Sequence, residues 1–148
     1  MSMIKLDIKL GIGVGTLLLG VEKKIMREEM STLGYPLCGE HRELDYFCDN
    51  SIQIEYENDL VRFIGISDHS EIECTYYGND VFDIDAKELF GVVARNESKS
   101  PSEEPGETCF FPDQGLNLWE AEVQYDRKGG YMREVYAQIG IECSFSIA

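Results

Sequence analysis

The spacing of apolar residues changes twice along the chain, and each change marks an element. From Ile4 to Leu10, IKLDIKL alternates apolar and polar side chains, the period of a half-buried strand. After the glycine-rich run LGIGVGTLLLG, the stretch VEKKIMREEMSTLGYP puts Val21, Ile25, Met26, Met30 and Leu33 on one face at helical spacing. Lys23, Lys24, Arg27 and Glu28 point away. Gly34 stands where a helix terminus takes a left-handed residue, and Pro36 follows it.

The period then returns to two. ELDYFCD, SIQIEYE, LVRFIGIS and EIECTYY read as antiparallel strands, separated by turn-formers at Asp49-Asn50, Asn58-Asp59 and Ser67-Asp68. Ile52, Ile54 and Tyr56 share one face, with Gln53 and Glu55 on the other. After Gly78-Asn79-Asp80 a second helix, DAKELFGVVAR, opens with Asp85 as its cap and buries Leu89, Phe90 and Val93. The polar stretch 98–107, SKSPSEEPGE, reads as a mobile loop. TCFF, GLNLWEAEV, YMREVYAQIGI and a closing ECSFSIA supply further strands. The expected architecture is α+β, a single domain over 1–148, with helices packed on one face of antiparallel sheet.

The plan repeats. Shifting the chain by 64 residues lays Asp49-Asn50-Ser51-Ile52-Gln53-Ile54 on Asp113-Gln114-Gly115-Leu116-Asn117-Leu118, and Ile25-Met26 on Leu89-Phe90. VRFIGI and MREVYA match more loosely, after a seven-residue insertion around Gly129-Gly130. Two tandem helix-plus-meander units, 10–80 and 81–148, are the resulting expectation.

GVGTLLLGVEKKIMREEMSTLGYP resembles the segment that opens each unit of the BamE-like proteins and, in tandem, of the β-lactamase-inhibitor-protein-like fold. Some similar small bacterial proteins act as immunity proteins. The resemblance covers about 25 residues and lacks a lipobox cysteine. It implies a binding module that uses a sheet face and loops, and it transfers no catalytic residue.

Two other readings of LGIGVGTLLLG fail on chemistry. A signal peptide would not carry Asp7 in its charged region, nor end in GVEKK. A phosphate loop needs Lys and Ser/Thr after Gly20, where Val21 and Glu22 stand. The glycines therefore shape the approach to the first helix, and a cytoplasmic protein is expected.

Charge narrows the partners. Thirteen basic against 28 acidic residues give a formal net charge of −15, which repels nucleic acid and anionic membranes and favours a basic protein. In a chain 43% hydrophobic, no run reaches the ~18–20 apolar residues of a membrane span. Cys38, Cys48, Cys74, Cys109 and Cys143 are odd in number and never in a C-x-x-C pair, so they read as reduced core or half-core thiols.

Catalytic and metal-ligating patterns are weak. Cys38, His41 and Cys48, completed by His69 or Cys74, match no zinc spacing, and core packing is the simpler reading. Asp68-His69 with Glu71 and Glu73 offers a base and a carboxylate, and Ser70 lacks a nucleophile elbow. Nothing selects one pair among Glu103, Glu104, Glu107, Glu120 and Glu122 as a hydrolase centre, and no calcium loop or cofactor motif occurs.

The aromatic residues are more informative. Trp119, Tyr125, Tyr131 and Tyr136 lie among Glu120, Glu122, Asp126 and Glu134, and Tyr46, Tyr56, Tyr76 and Tyr77 are their counterparts in the first half. Aromatic anchors ringed by carboxylates suit a protein-binding patch for a basic partner, and the competing reading has these rings fill the core of the second sheet, Trp119 first among them. Trp119, Glu120, Glu122, Tyr125, Tyr131, Glu134 and Tyr136 form the candidate patch of a non-enzymatic immunity or inhibitor protein. The rival readings are a small-ligand-binding protein or enzyme working on the open sheet face, and an oligomerisation domain.

Overall fold

A computed structural model describes residues 4–97, 108–125 and 132–143; residues 108, 120–125 and 132–133 are described by backbone alone. The expected loop 98–107 lies outside the described residues. Two sheets and two helices enclose one core. The smaller sheet orders β3 (Leu17–Leu18), β2 (Gly13–Val14), β1 (Ile4–Lys9), β8 (Ile72–Tyr76) and β9 (Asn79–Asp80). The larger orders β10 (Thr108–Phe111), β11 (Leu116–Tyr125), β12 (Met132–Glu142), β7 (Leu60–Ser67), β6 (Ile52–Glu57), β5 (Leu44–Phe47) and β4 (Gly39–His41). Every pair in the larger sheet is antiparallel, whereas β1 joins β8 in parallel.

The glycine run makes a hairpin at the sheet edge. Gly13 pairs with Leu18 so closely that a Cβ would overlap the Leu17 carbonyl oxygen. Gly15 turns at φ +58° and donates its N–H to Asp7 O at 2.8 Å, over the Leu6 side chain. The hairpin's inward residues Val14 and Leu17 are fully buried.

Helix α1 spans Lys23–Thr32 and buries Met26 and Met30. Its start is set by an isolated bridge between Glu22 and Leu60, since Glu22 makes no side-chain cap. Ile25, expected in the buried stripe, is 49% exposed. Gly34 follows the helix at φ +93°. Helix α2 spans Ala86–Arg95, with the Asp85 carboxylate accepting the Lys87 N–H at 3.0 Å. It buries Ala86, Leu89 and Val93, and Phe90 leans on Phe111 at 5.4 Å.

A polar clasp ties α1 to the sheet. Asp45 points inward from β5 and is 1% exposed. It accepts Arg27 Nε at 2.8 Å, Arg27 Nη2 at 2.7 Å and the Tyr56 hydroxyl at 2.7 Å. Burial alone would raise the Asp45 carboxyl, but the Arg27 and Tyr56 hydrogen bonds outweigh it and hold the carboxyl below its ordinary value. Burial, then the Asp45 carboxylate, push the Tyr56 phenol up.

The larger sheet has an internal symmetry. Ile52, Gln53 and Ile54 pair with Ile66, Gly65 and Ile64, just as Leu116, Asn117 and Leu118 pair with Ile141, Gly140 and Ile139. The two Ile-Gly-Ile triplets then pair with each other, Ile139 with Ile66, Gly140 with Gly65 and Ile141 with Ile64. A local two-fold axis therefore passes through the Gly65/Gly140 pair. The stretch equivalent to VRFIGI is thus the one ending in Ile141, not MREVYA. Gly65 and Gly140 stand 75 residues apart, whereas the strands they pair with, from Ile52 and Leu116, stand 64 apart.

Candidate functional site

Both helices and the smaller sheet contribute their buried side chains to one core, together with the inward residues of the larger sheet. The opposite side is built by the outward residues of its strands. One row of directly paired positions crosses it: Phe110, Asn117, Gly140, Gly65, Gln53 and Tyr46. All but the two glycines are half-exposed. The central glycines leave a trough, and two rings fill it. Phe63 and Trp119 meet edge to face, centroids 5.7 Å apart and planes at 88°. A Cβ on Gly140 would come within 2.6 Å of both rings, so Gly140 alone lets them settle there.

Carboxylates border these rings. The β6–β7 register shifts between Glu55 and Tyr56, which leaves Arg62 as an extra residue on β7. Arg62 reaches Glu55 at 2.6 Å and Glu142 at 3.9 Å, while Asn117 donates to Glu142 at 2.9 Å. Glu134 stands exposed further along β12.

The expected patch meets this face only in part. Trp119 is on it, half-exposed. Tyr136 is not available: it is 1% exposed and its hydroxyl lies 3.6 Å from Cys109 Sγ in the core. Tyr136 and Ile139 both point inward although three residues apart, so strand alternation slips between them. The β11–β12 ladder skips the Glu120/Ala137 position there. Glu120, Glu122 and Tyr125 lie along β11, and Tyr131 lies outside the described residues. Phe63 is the ring the sequence pattern passed over, because it reads there as one more strand residue. Of the first-half tyrosines, Tyr56 and Tyr76 are core, Tyr46 is on the outer face, and Tyr77 is 68% exposed.

A second constellation gathers at the opposite turn of the β5–β6 hairpin. Cys48, Asp49 and Asn50 are three consecutive left-handed residues, at φ 51°, 55° and 65°. They face His69 on the β7–β8 crossover. His69 Nδ1 accepts the Glu71 N–H at 3.0 Å and is 3.9 Å from Cys48 Sγ, so Nε2 carries the proton toward Asp49 Oδ2 at 2.9 Å. The sequence pattern pairs His69 with Asp68, whereas its carboxylate partner here is Asp49, 20 residues away.

This arrangement is a poor nucleophilic centre. Cys48 is 5% exposed, and burial pushes its thiol up despite a Ser51 hydrogen bond. His41 sits apart, exposed on β4, and Cys74 is buried on β8. Among the described residues no two cysteines form a disulfide. A cleft of about 410 Å³ beside α1 is lined by Lys23, Lys24, Arg27, Glu28, Ser31 and Asp59. Two of its cations are already engaged, Lys23 with Asp59 at 3.6 Å and Arg27 with Asp45, so it offers little to an anion. No helix among the described residues is long and apolar enough to cross a membrane.

Comparison with family models, curated proteins and solved structures yields no match to this chain.

Proposed function

We propose that this chain is a protein-binding module whose outer sheet face, centred on Phe63 and Trp119, docks on a basic protein. One observation carries the reading: two aromatic rings are seated over a glycine trough on the side of the sheet away from the core. Phe63, 8% exposed, braces the half-exposed Trp119 ring, which therefore loses little freedom on binding and is favoured as an anchor. The net charge of −15 and the carboxylates of Glu55 and Glu142, paired on either side of Phe63, supply long-range attraction for a basic surface. An immunity or inhibitor role is the biological form this binding takes in our reading, in line with the resemblance of the opening segment.

The symmetric ladder supports a tandem origin. β5 and β10 begin and end 64 residues apart, and each half runs from a helix into an antiparallel meander. In this reading duplication built a sheet wide enough to present one continuous face, and divergence left Gln138 and Glu55 at the positions symmetric to Phe63 and Trp119.

The test is capture from native lysate on the immobilised protein, at low and high salt, with the Trp119→Ala chain in parallel. A stoichiometric basic protein, lost at high salt and lost on the variant, supports the reading. A salt-insensitive partner, or one retained equally by the variant, overturns it. Self-association of the chain in sedimentation, abolished by the same variant, would favour the oligomerisation reading instead.

A further inference from the structure

We propose that Cys48, His69 and Glu71 form a binding site for a zinc-class divalent cation. Their ligating atoms all lie within 4.8 Å of one another, on two segments brought together only by the fold. In a tetrahedral zinc site with the usual Zn–S and Zn–N lengths, sulfur and nitrogen stand ~3.6 Å apart. Cys48 Sγ and His69 Nδ1 are at 3.9 Å, so a shift of a few tenths of an ångström closes the site.

The histidine is already oriented for this task. Asp49 accepts the Nε2 proton, which leaves the Nδ1 lone pair on the side of Cys48. A carboxylate behind a ligating histidine is the common way of fixing tautomer and ring direction at metal centres. The left-handed run Cys48–Asp49–Asn50 lets one short turn present both the sulfur ligand and that supporting carboxylate. On loading, the ion replaces the Glu71 N–H at Nδ1 and the Cys48 proton leaves to solvent. The fourth position falls to water. Sulfur, imidazole and a single carboxylate select zinc or cobalt over magnesium and calcium, which take oxygen donors.

The position gives the ion a mechanical role. It would join the β5–β6 turn of the larger sheet to the crossover that enters β8 of the smaller one, fastening the two sheets at their shared boundary.

Chelator-treated protein titrated with Co(II) supplies the test, read by the thiolate-to-cobalt charge-transfer band and by competition with Zn(II). One equivalent per chain with that band is expected. His69→Gln should weaken binding at least tenfold, Cys48→Ser should abolish the band, and Asp49→Asn should weaken binding about tenfold. Cys143→Ser serves as the control that keeps the band. Far-UV circular dichroism on each variant separates lost binding from lost folding, and His69→Gln, at a half-buried turn, decides should Cys48→Ser unfold. Absence of the band in the natural chain, or its persistence with unchanged affinity in folded His69→Gln, overturns the proposal.

Discussion

Gly65 and Gly140 stand directly opposite each other in the β7–β12 ladder, yet a side chain at one would be tolerated and at the other would not. A methyl at Gly65 meets Phe63 at an ordinary 3.4 Å, whereas a methyl at Gly140 meets the Phe63 ring at 2.5 Å and Trp119 at 2.6 Å.

Gly140→Ala should therefore destabilise the fold by about 1–3 kcal/mol, the usual range for overpacking. Gly65→Ala should be neutral or stabilising by up to about 1 kcal/mol, through reduced freedom of the unfolded chain. Urea unfolding gives both values. Fluorescence of Trp119, the only tryptophan, should shift to the red in Gly140→Ala alone, as its ring is pushed into water.

The clasp at Asp45 predicts an acid-sensitive contribution to stability. Because the folded carboxyl is held below its unfolded value, its contribution is complete above the unfolded value of about 4 and is lost as pH falls through the folded one. Asp45→Asn should cost about 1–2 kcal/mol near neutral pH, at the low end for charged hydrogen bonds because the Arg27 side chain is 34% exposed. The gap between variant and natural chain should stay flat above pH ~5 and narrow below pH ~4. Tyr56→Phe should cost about 1 kcal/mol, and chemical denaturation across pH checks all three statements.

The helices start by different means and should respond differently. Asp85→Ala removes the bond to the Lys87 N–H and should cost about 1 kcal/mol. Glu22→Ala should change stability by less than about 0.5 kcal/mol, because the Glu22 side chain caps nothing and its backbone bridge to Leu60 survives. Thermal unfolding of the two variants side by side makes the comparison.

If the outer face carries binding, Trp119→Ala should weaken the captured partner by about 2 kcal/mol or more, roughly thirtyfold. Tyr77→Ala, equally aromatic and more exposed, should leave affinity within about twofold, since Tyr77 lies next to the smaller sheet. Glu134→Lys should slow association at low salt with little effect on dissociation. Surface-plasmon measurements at two salt concentrations separate these effects.

Local pattern carried much of this architecture. The helical spacing of Met26 and Met30, the alternation of Ile52, Ile54 and Tyr56, and the Asp85 cap all act within a few residues, so composition reveals them. Contacts made across long stretches of chain stayed hidden. The parallel pairing of Ile4 with Ile72 leaves no local trace, and neither does the meeting of Asp49 with His69. The residue pattern places Tyr136 in the outer patch, but one slip in the strand turns it inward. Ile-Gly-Ile occurs twice in the chain, but its 75-residue spacing, against 64 for the strands it pairs with, hides the symmetry from any single offset.

The parallel bond between β1 and β8 and the antiparallel one between β7 and β12 set an order on the newborn chain. Residues 60–76 hold both partners: β8 receives a strand already synthesised, while β7 awaits one made more than 60 residues later. As translation proceeds, β1 finds its mate once residue 76 has emerged, and the first half can close. β7 then offers an unpaired edge bearing Ile64 and Ile66 until β12 leaves the ribosome. Ribosomal pausing after residue 76 would prolong that exposure, making the interval before β12 arrives the point at which this protein is most open to aggregation or to a chaperone.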